Sequence, residues 1–232
     1  EIPGDEKKAL THYAYHIKAG KEIFAAEGAF GQYLICFRNL PVAIGITAGA
    51  REYLAADICL KYMKEAVSEP CKEEQLEAAE KTLRAKLNSL SLVQPEGTFR
   101  TARKEAAKLF DRKILFTENP RKIESAVFTK DGHRVKIEAV INGEQKTLYA
   151  GYKVWKRNDL YPDDHTKRYQ NVAYAMDAEA LYLSVGLINT SYKEEYCLWV
   201  NSQDKVIATW HPNVTYLPEE PDMIWKFTGT FE

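Results

Sequence analysis

His12 and His16 stand four residues apart. On a helix that spacing puts both imidazoles on one side, as in helical zinc pairs. Two ligands do not make a site, and Tyr13 stands where an HExxH protease motif needs Glu. A polar helix face explains the pair more simply. Asp163-Asp164-His165 sets carboxylates beside an imidazole, which could hold a tautomer or a cation. Neighbours in an extended segment point apart, so a solvated loop is the plainer reading. Gly45-Ile46-Thr47-Ala48-Gly49-Ala50 leads from an expected strand into an expected helix, whose first N–H groups could receive an anion. It lacks the P-loop Lys-Ser/Thr and a GxGxxG fingerprint, and close packing explains its small residues as well.

No GxSxG elbow is present. Cys36, Cys59, Cys71 and Cys197 form no CxxC pair and no metal-ligand spacing. Four cysteines are too few for a disulfide scaffold, so buried, reduced thiols are expected. Triads assemble in space, so no Cys–His pair is selected by spacing. No metal or cofactor is expected.

The one basic concentration runs from Arg100 to Lys122, with eight basic against three acidic residues. On a helix over 99–112, Arg100, Lys104 and Lys108 share a face and could meet an anion or an acidic partner. The row carries no interleaved aromatics for base stacking, and the overall pI is about 6.6. Nucleic acid is therefore not the expected partner.

The aromatic residues are the unusual feature. All four tryptophans and nine of the fourteen tyrosines lie from residue 149 onward. Tyr and Trp pack well in strands, but they also anchor interfaces and line ligand clefts. Tyr152, Trp155, Trp199 and Trp210 are the candidate ligand- or partner-binding residues. Strand parity sets Cys197 and Trp199 on one face, and Tyr196, Leu198 and Val200 on the other.

Several elements would have to position these groups. An N-terminal helix is expected over 6–19, capped by Asp5, with Leu10, Tyr13, Ala14 and Ile17 on one face. Strands are expected over 32–37 and 42–47. A largely buried helix over 49–67 carries Leu54, Ile58 and Tyr62 in one row. A helix over 71–91 has a Leu76, Leu83, Leu87 and Leu90 stripe, and it forms a hairpin with the helix over 99–112. A three-strand meander spans 125–155, turned by Asp131-Gly132 and Asn142-Gly143. Residues 156–172 read as a loop. Residues 177–189 are ambiguous, with a helical start over 177–180 but strand-like alternation after it. We take them as a helix. A hairpin over 195–210 and a strand over 224–231 complete the chain.

The expected fold class is thus α+β, in one compact domain over 1–232. A mainly helical half, 1–118, packs on a mainly antiparallel, aromatic-rich half, 119–232. The chain has 232 residues, net charge -1, 45% hydrophobic and 28% charged residues, with 12 Gly and 9 Pro. Enough apolar material is present for a core, which excludes a wholly disordered or collagen-like chain. No run of 18 apolar residues exists, so no helical membrane span is expected. The N-terminus is not patterned as a signal peptide. Residue 1 is Glu rather than Met, so an upstream segment is expected to have been removed. The compartment stays open, with the cytoplasm slightly ahead of secretion. The expected function is a non-catalytic binding or interaction protein, recognising a small molecule or a protein through the aromatic-rich half. The alternative is a hydrolase or transferase with a site between the halves.

Overall fold

The computed structural model describes residues 10–50, 55–68, 72–95, 104–159, 169–177, 179–188, 190–214 and 224–232. The chain is mainly β. It forms two compact units, Glu1–Leu92 and Val93–Glu232.

The N-terminal unit holds a five-stranded antiparallel meander. Its strands are β1 (His12–Ala14), β2 (Ile17–Ala19), β3 (Ile23–Gly28), β4 (Gln32–Phe37) and β5 (Ala43–Ile46). Alternation on β3 and β4 buries Ile23, Ala25, Tyr33, Ile35 and Phe37 on one face. Helix α1 (Ala55–Ser68) sets Ala56, Cys59, Leu60 and Met63 against that core. A 3-10 turn (Glu73–Gln75) then leads into α2 (Leu76–Ser89).

This unit overturns the helical N-terminal half. The helix expected over 6–19 is, over its described part, the β1–β2 hairpin. Tyr15 and His16 form its turn at φ 51° and 62°, and β2 pairs onward with β3. The apolar spacing misled because Tyr13, Ala14 and Ile17 of that face lie exposed. A short helix needs a buried face to persist, whereas a hairpin extends an existing sheet. The strands expected over 32–37 and 42–47 are present as β4 and β5. Helix α1 exists but is not largely buried, since Ile58 and Tyr62 face solvent. Helix α2 also exists, with no residue buried. The expected hairpin partner belongs to the other unit. Its described helical part is α3 (Lys104–Ala107), while Ala102 and the start of the expected helix lie outside the described residues.

The C-terminal unit is a nine-stranded mixed barrel. Four strands run in sequence, β6 (Lys113–Phe116), β7 (Ile123–Asp131), β8 (Arg134–Ile141) and β9 (Glu144–Tyr152). Five more follow as β11 (Tyr169–Met176), β12 (Ala180–Leu187), β13 (Lys193–Val200), β14 (Val206–Pro212) and β15 (Trp225–Phe231). Neighbours pair antiparallel, and β15 returns to β6 through Phe231↔Ile114. Asn142 and Gly143 both take positive φ, as the expected type I′ turn requires.

Closure depends on one short parallel contact. Strands β9 and β11 pair only at Gly151↔Ala173 and Tyr152↔Tyr174. Beyond them a short strand, β10 (Lys156–Asp159), lies antiparallel on β11. The gap from β10 to β9 is bridged by a side chain. Asn158 Oδ1 accepts the Tyr149 N–H at 2.6 Å, and Asn158 Nδ2 donates to the Tyr149 carbonyl at 3.0 Å. One buried amide thus supplies the bonds that a strand would make. Part of the loop expected over 156–172 is therefore strand, and 160–168 lies outside the described residues.

The helix expected over 177–189 is strand β12. Asp177 is a cap, but for a turn: its Oδ1 accepts the Glu179 and Ala180 N–H groups, both at 2.8 Å. Leu181, Leu183 and Val185 then alternate into the barrel core. Asp serves helix starts and Asx turns by the same hydrogen bonds, so the local signal could not separate them. The strands expected in the 125–155 meander, the 195–210 hairpin and at 224–231 are present. Helix α3 packs on β12 and β13 with Ala106 buried, and just after it Leu109 and Phe110 are buried too, Phe110 bridging to Phe128 of β7. Lys108 reaches Asp204, in the β13–β14 turn, at 3.0 Å.

Candidate functional site

Nine strands of period-two alternation send every second side chain inward. A barrel of about this strand number has an interior that side chains nearly fill, or that holds one small ligand. Here small residues, Ala126, Ala139 and Ala208, face larger ones, and a cavity of about 100 Å³ remains among them. Fourteen of its eighteen lining residues are apolar, so its chemistry rests on the other four: Arg121, Gln170, Glu194 and Tyr196.

Arg121 comes from the β6–β7 loop, which Asn119 holds rigid. The Asn119 amide donates to the Thr117 and Ile123 carbonyls at 2.9 and 2.8 Å. Its Oδ1 accepts the Ile123 N–H at 3.0 Å. Arg121 Nη2 then lies 3.1 Å from Glu194 Oε1, and Tyr196 donates its hydroxyl to Glu194 Oε2 at 2.7 Å. Glu194 is buried, its side chain 7% exposed against 37% for Arg121. Burial works against the guanidinium charge. The carboxylate and phenol beside it more than offset that, and its pKa sits above the ordinary value. Burial first, and then Glu194, pushes the Tyr196 phenol far up, so it stays a neutral donor.

Trp210 packs beside this cluster, its ring centroid 5.8 Å from the guanidinium carbon. Trp225 stacks on it at 4.7 Å with the planes tilted by 39°. Among the described residues, two buried side-chain nitrogens have no hydrogen-bond partner: Arg121 Nε and Trp210 Nε1. Both are donors. Glu194 is not poised as a general base, because both of its oxygens are engaged.

The four aromatic candidates are not brought together. Trp210 is inside, 4% exposed. Tyr152 packs on the barrel core, its ring 5.5 Å from Tyr174. Trp199 is on the outer face of β13, with the Lys226 ammonium 5.8 Å from its ring. Trp155 follows β9 and lies over Gly186 of β12 on the outer side. Of the basic row, Lys108 is an exposed partner of Asp204, Lys104 opens α3, and Arg100 is outside the described residues. Asp163-Asp164-His165 is outside them as well. His12 and His16 are on the β1–β2 hairpin, where the Tyr13 hydroxyl shares a hydrogen bond with His16 Nδ1 at 3.3 Å. Among the described residues no three His, Cys, Asp or Glu side chains form a metal-binding group, and no helix is long and apolar enough to cross a membrane.

Sequence reasoning counted Arg121 only as part of a basic run and passed over Glu194. The signal for Glu194 was available in its strand parity. It shares a face with Tyr196, Leu198 and Val200, and a carboxylate on an otherwise apolar face requires a buried partner. Nothing local pointed to Arg121 as that partner. No protein-family model matches this chain, and no curated protein is significantly similar to it.

Proposed function

We propose that this protein is a non-catalytic small-molecule binder whose C-terminal barrel takes a compact, mainly apolar ligand into its interior. The observation that carries this reading is the apolar cavity inside a closed barrel, with the Arg121–Glu194–Tyr196 cluster, built on the buried Glu194, at one side of it. Filling such a space with larger side chains is chemically easy at Ala126, Ala139 or Ala208. Leaving about 100 Å³ open costs on the order of 2 kcal/mol by the usual cavity coefficient. A void kept at that cost, mainly apolar with a few polar groups at its side, has the make-up of a ligand site and room for a very small guest.

The test is binding of xenon, a small apolar probe, to the full chain, followed by methyl NMR, in the wild type and in Ala139→Leu. Leucine at 139 occupies the cavity from strand β8. Binding is expected to weaken at least tenfold, and the variant is expected to gain about 1 kcal/mol of stability, as cavity-filling changes commonly do. Undiminished binding in A139L, or no binding by the wild type, overturns the reading.

A further inference from the structure

We propose that helix α2 is a self-association surface, which docks antiparallel on the α2 of a second copy of this chain about a two-fold axis at Leu83. This surface lies in the N-terminal unit and owes nothing to the barrel cavity.

The described residues leave one face of α2 open. Leu76, Leu83 and Leu87 fall within an arc of about 40° at the usual helical pitch, and Leu90 continues the row just past the last turn. All four are more than half exposed, and no residue of α2 is buried. At 14 residues, α2 is near the length at which a helix standing alone is marginal in water. An apolar stripe on such a helix is stabilised by whatever covers it.

The stripe is its own complement. Leu76 and Leu90 each stand seven residues from Leu83. Two antiparallel helices with Leu83 at the axis therefore set Leu76 of each copy against Leu90 of the other, and Leu83 against its symmetry mate. Ala79 and Leu87 stand four residues to either side of Leu83, so a small side chain meets a large one. Self-complementarity of this kind is what a two-fold interface requires.

Charge selects the antiparallel order. Between 73 and 80 every charged residue is acidic: Glu73, Glu74, Glu77 and Glu80. Between 81 and 90 every one is basic: Lys81, Arg84 and Lys86. The helix dipole favours that order in any helix, but it does not account for the leucines. Antiparallel copies set each acidic half against a basic half, whereas parallel copies would set like against like. Glu80 and Arg84 border the stripe on one edge, close to the axis, and are paired at 2.6 Å within the chain. In the dimer the two pairs meet along that edge, so each Arg84 also faces the other copy's Glu80.

Sedimentation equilibrium of the full chain tests this. Two short helices make a small interface, so reversible dimerisation is expected over about 10–100 µM. Leu83→Lys sets two ammonium groups at the axis and should leave a monomer throughout. Because Leu83 is exposed, the unfolding midpoint of L83K by circular dichroism should match the wild type at a concentration where both are monomers. Glu80→Arg and Arg84→Glu each gather four like charges along the edge, and each should weaken dimerisation about tenfold. An equimolar mixture of E80R and R84E should recover a heterodimer about as tight as the wild type, because each chain supplies the charge that the other lacks. An effect confined to one chain cannot produce that recovery. A wild type that stays monomeric at about 500 µM, a dimer that L83K leaves intact, or single variants that do not recover on mixing overturns the proposal. A monomeric wild type with a lowered midpoint in L83K also overturns it, and would show that the leucines are covered from within the chain.

Discussion

Replacing Gly151 with Ala tests whether the barrel is closed as tightly as its seam implies. Gly151 is one of only two β9 residues that pair with β11. A Cβ built there runs into the Val154 carbonyl oxygen and also stands 3.5 Å from Val154 Cγ2. The obstacle is backbone and cannot rotate aside. Nor is the turn free to retreat. Lys153 already holds φ 48°, which a lysine adopts only when its surroundings impose it. Its N–H donates to the Tyr174 carbonyl at 2.8 Å, across the seam. Overpacking costs roughly 1–3 kcal/mol. Losing the seam bond adds about 1 kcal/mol. Restricting the unfolded chain returns about 0.4–1 kcal/mol. The expected net loss is about 2 kcal/mol.

Urea unfolding followed by tryptophan fluorescence measures this directly, because all four tryptophans lie in the C-terminal unit. With a typical slope of about 2 kcal/mol per molar urea, the midpoint should fall by about 1 M. Gly186→Ala is the control. A Cβ at 186 meets only the Trp155 ring and the Asn171 carbonyl oxygen, each at 3.9 Å. That variant should be neutral or gain up to about 1 kcal/mol, as alanine does over glycine within a strand. Wild-type stability in G151A, or an equal loss in G186A, would refute the seam argument.

Two further expectations follow from the outer face of β12 and β13. Burial opposes the Asp177 charge, but the Glu179 and Ala180 N–H groups and the Tyr182 hydroxyl outweigh it and hold the pKa below the ordinary value. A carboxyl lowered by folding stabilises the fold above its unfolded pKa of about 4, and that contribution is lost as pH falls through the folded pKa. Asp177→Ala should therefore cost about 2 kcal/mol at pH 7, and urea curves should show the gap narrowing below about pH 4; a pH-independent gap would contradict the charge argument. Burial, and then Asp177, pushes the Cys197 thiol up to about 11. In a variant whose only cysteine is Cys197, iodoacetamide labelling at pH 8 should be on the order of 10²-fold slower than for a free thiol of pKa about 8.5. Labelling at the free-thiol rate would show that the site is more open than its packing implies.

Short-range signals were legible where local geometry decides the outcome. Asn142-Gly143 takes the positive φ angles of its turn in any context, and alternation over β7, β8 and β13 sorts their two faces. Helix α2 follows from the helix propensity of its own residues, since none of them is buried. Where two structures share one local signal, the residues alone did not decide. The Asp177 cap opens a strand, and the spacing over 10–17 belongs to a hairpin, because in both cases the hydrogen bonds come from a neighbouring strand.

The candidate site was less legible. Parity places Trp199 opposite Tyr196 and Leu198, but it does not say which face is inside. Only closure decides that, and closure rests on two parallel pairs and the Asn158 amide, between segments that no local pattern joins. The Arg121–Glu194 pair likewise exists because a loop before β7 and the start of β13 end at the same place in the barrel. Amino-acid order therefore determined which residues alternate and where the chain turns, since those are set by nearest-neighbour sterics. The tertiary structure alone decided which face became the interior and which charge met which, since both depend on strand pairings between distant parts of the chain.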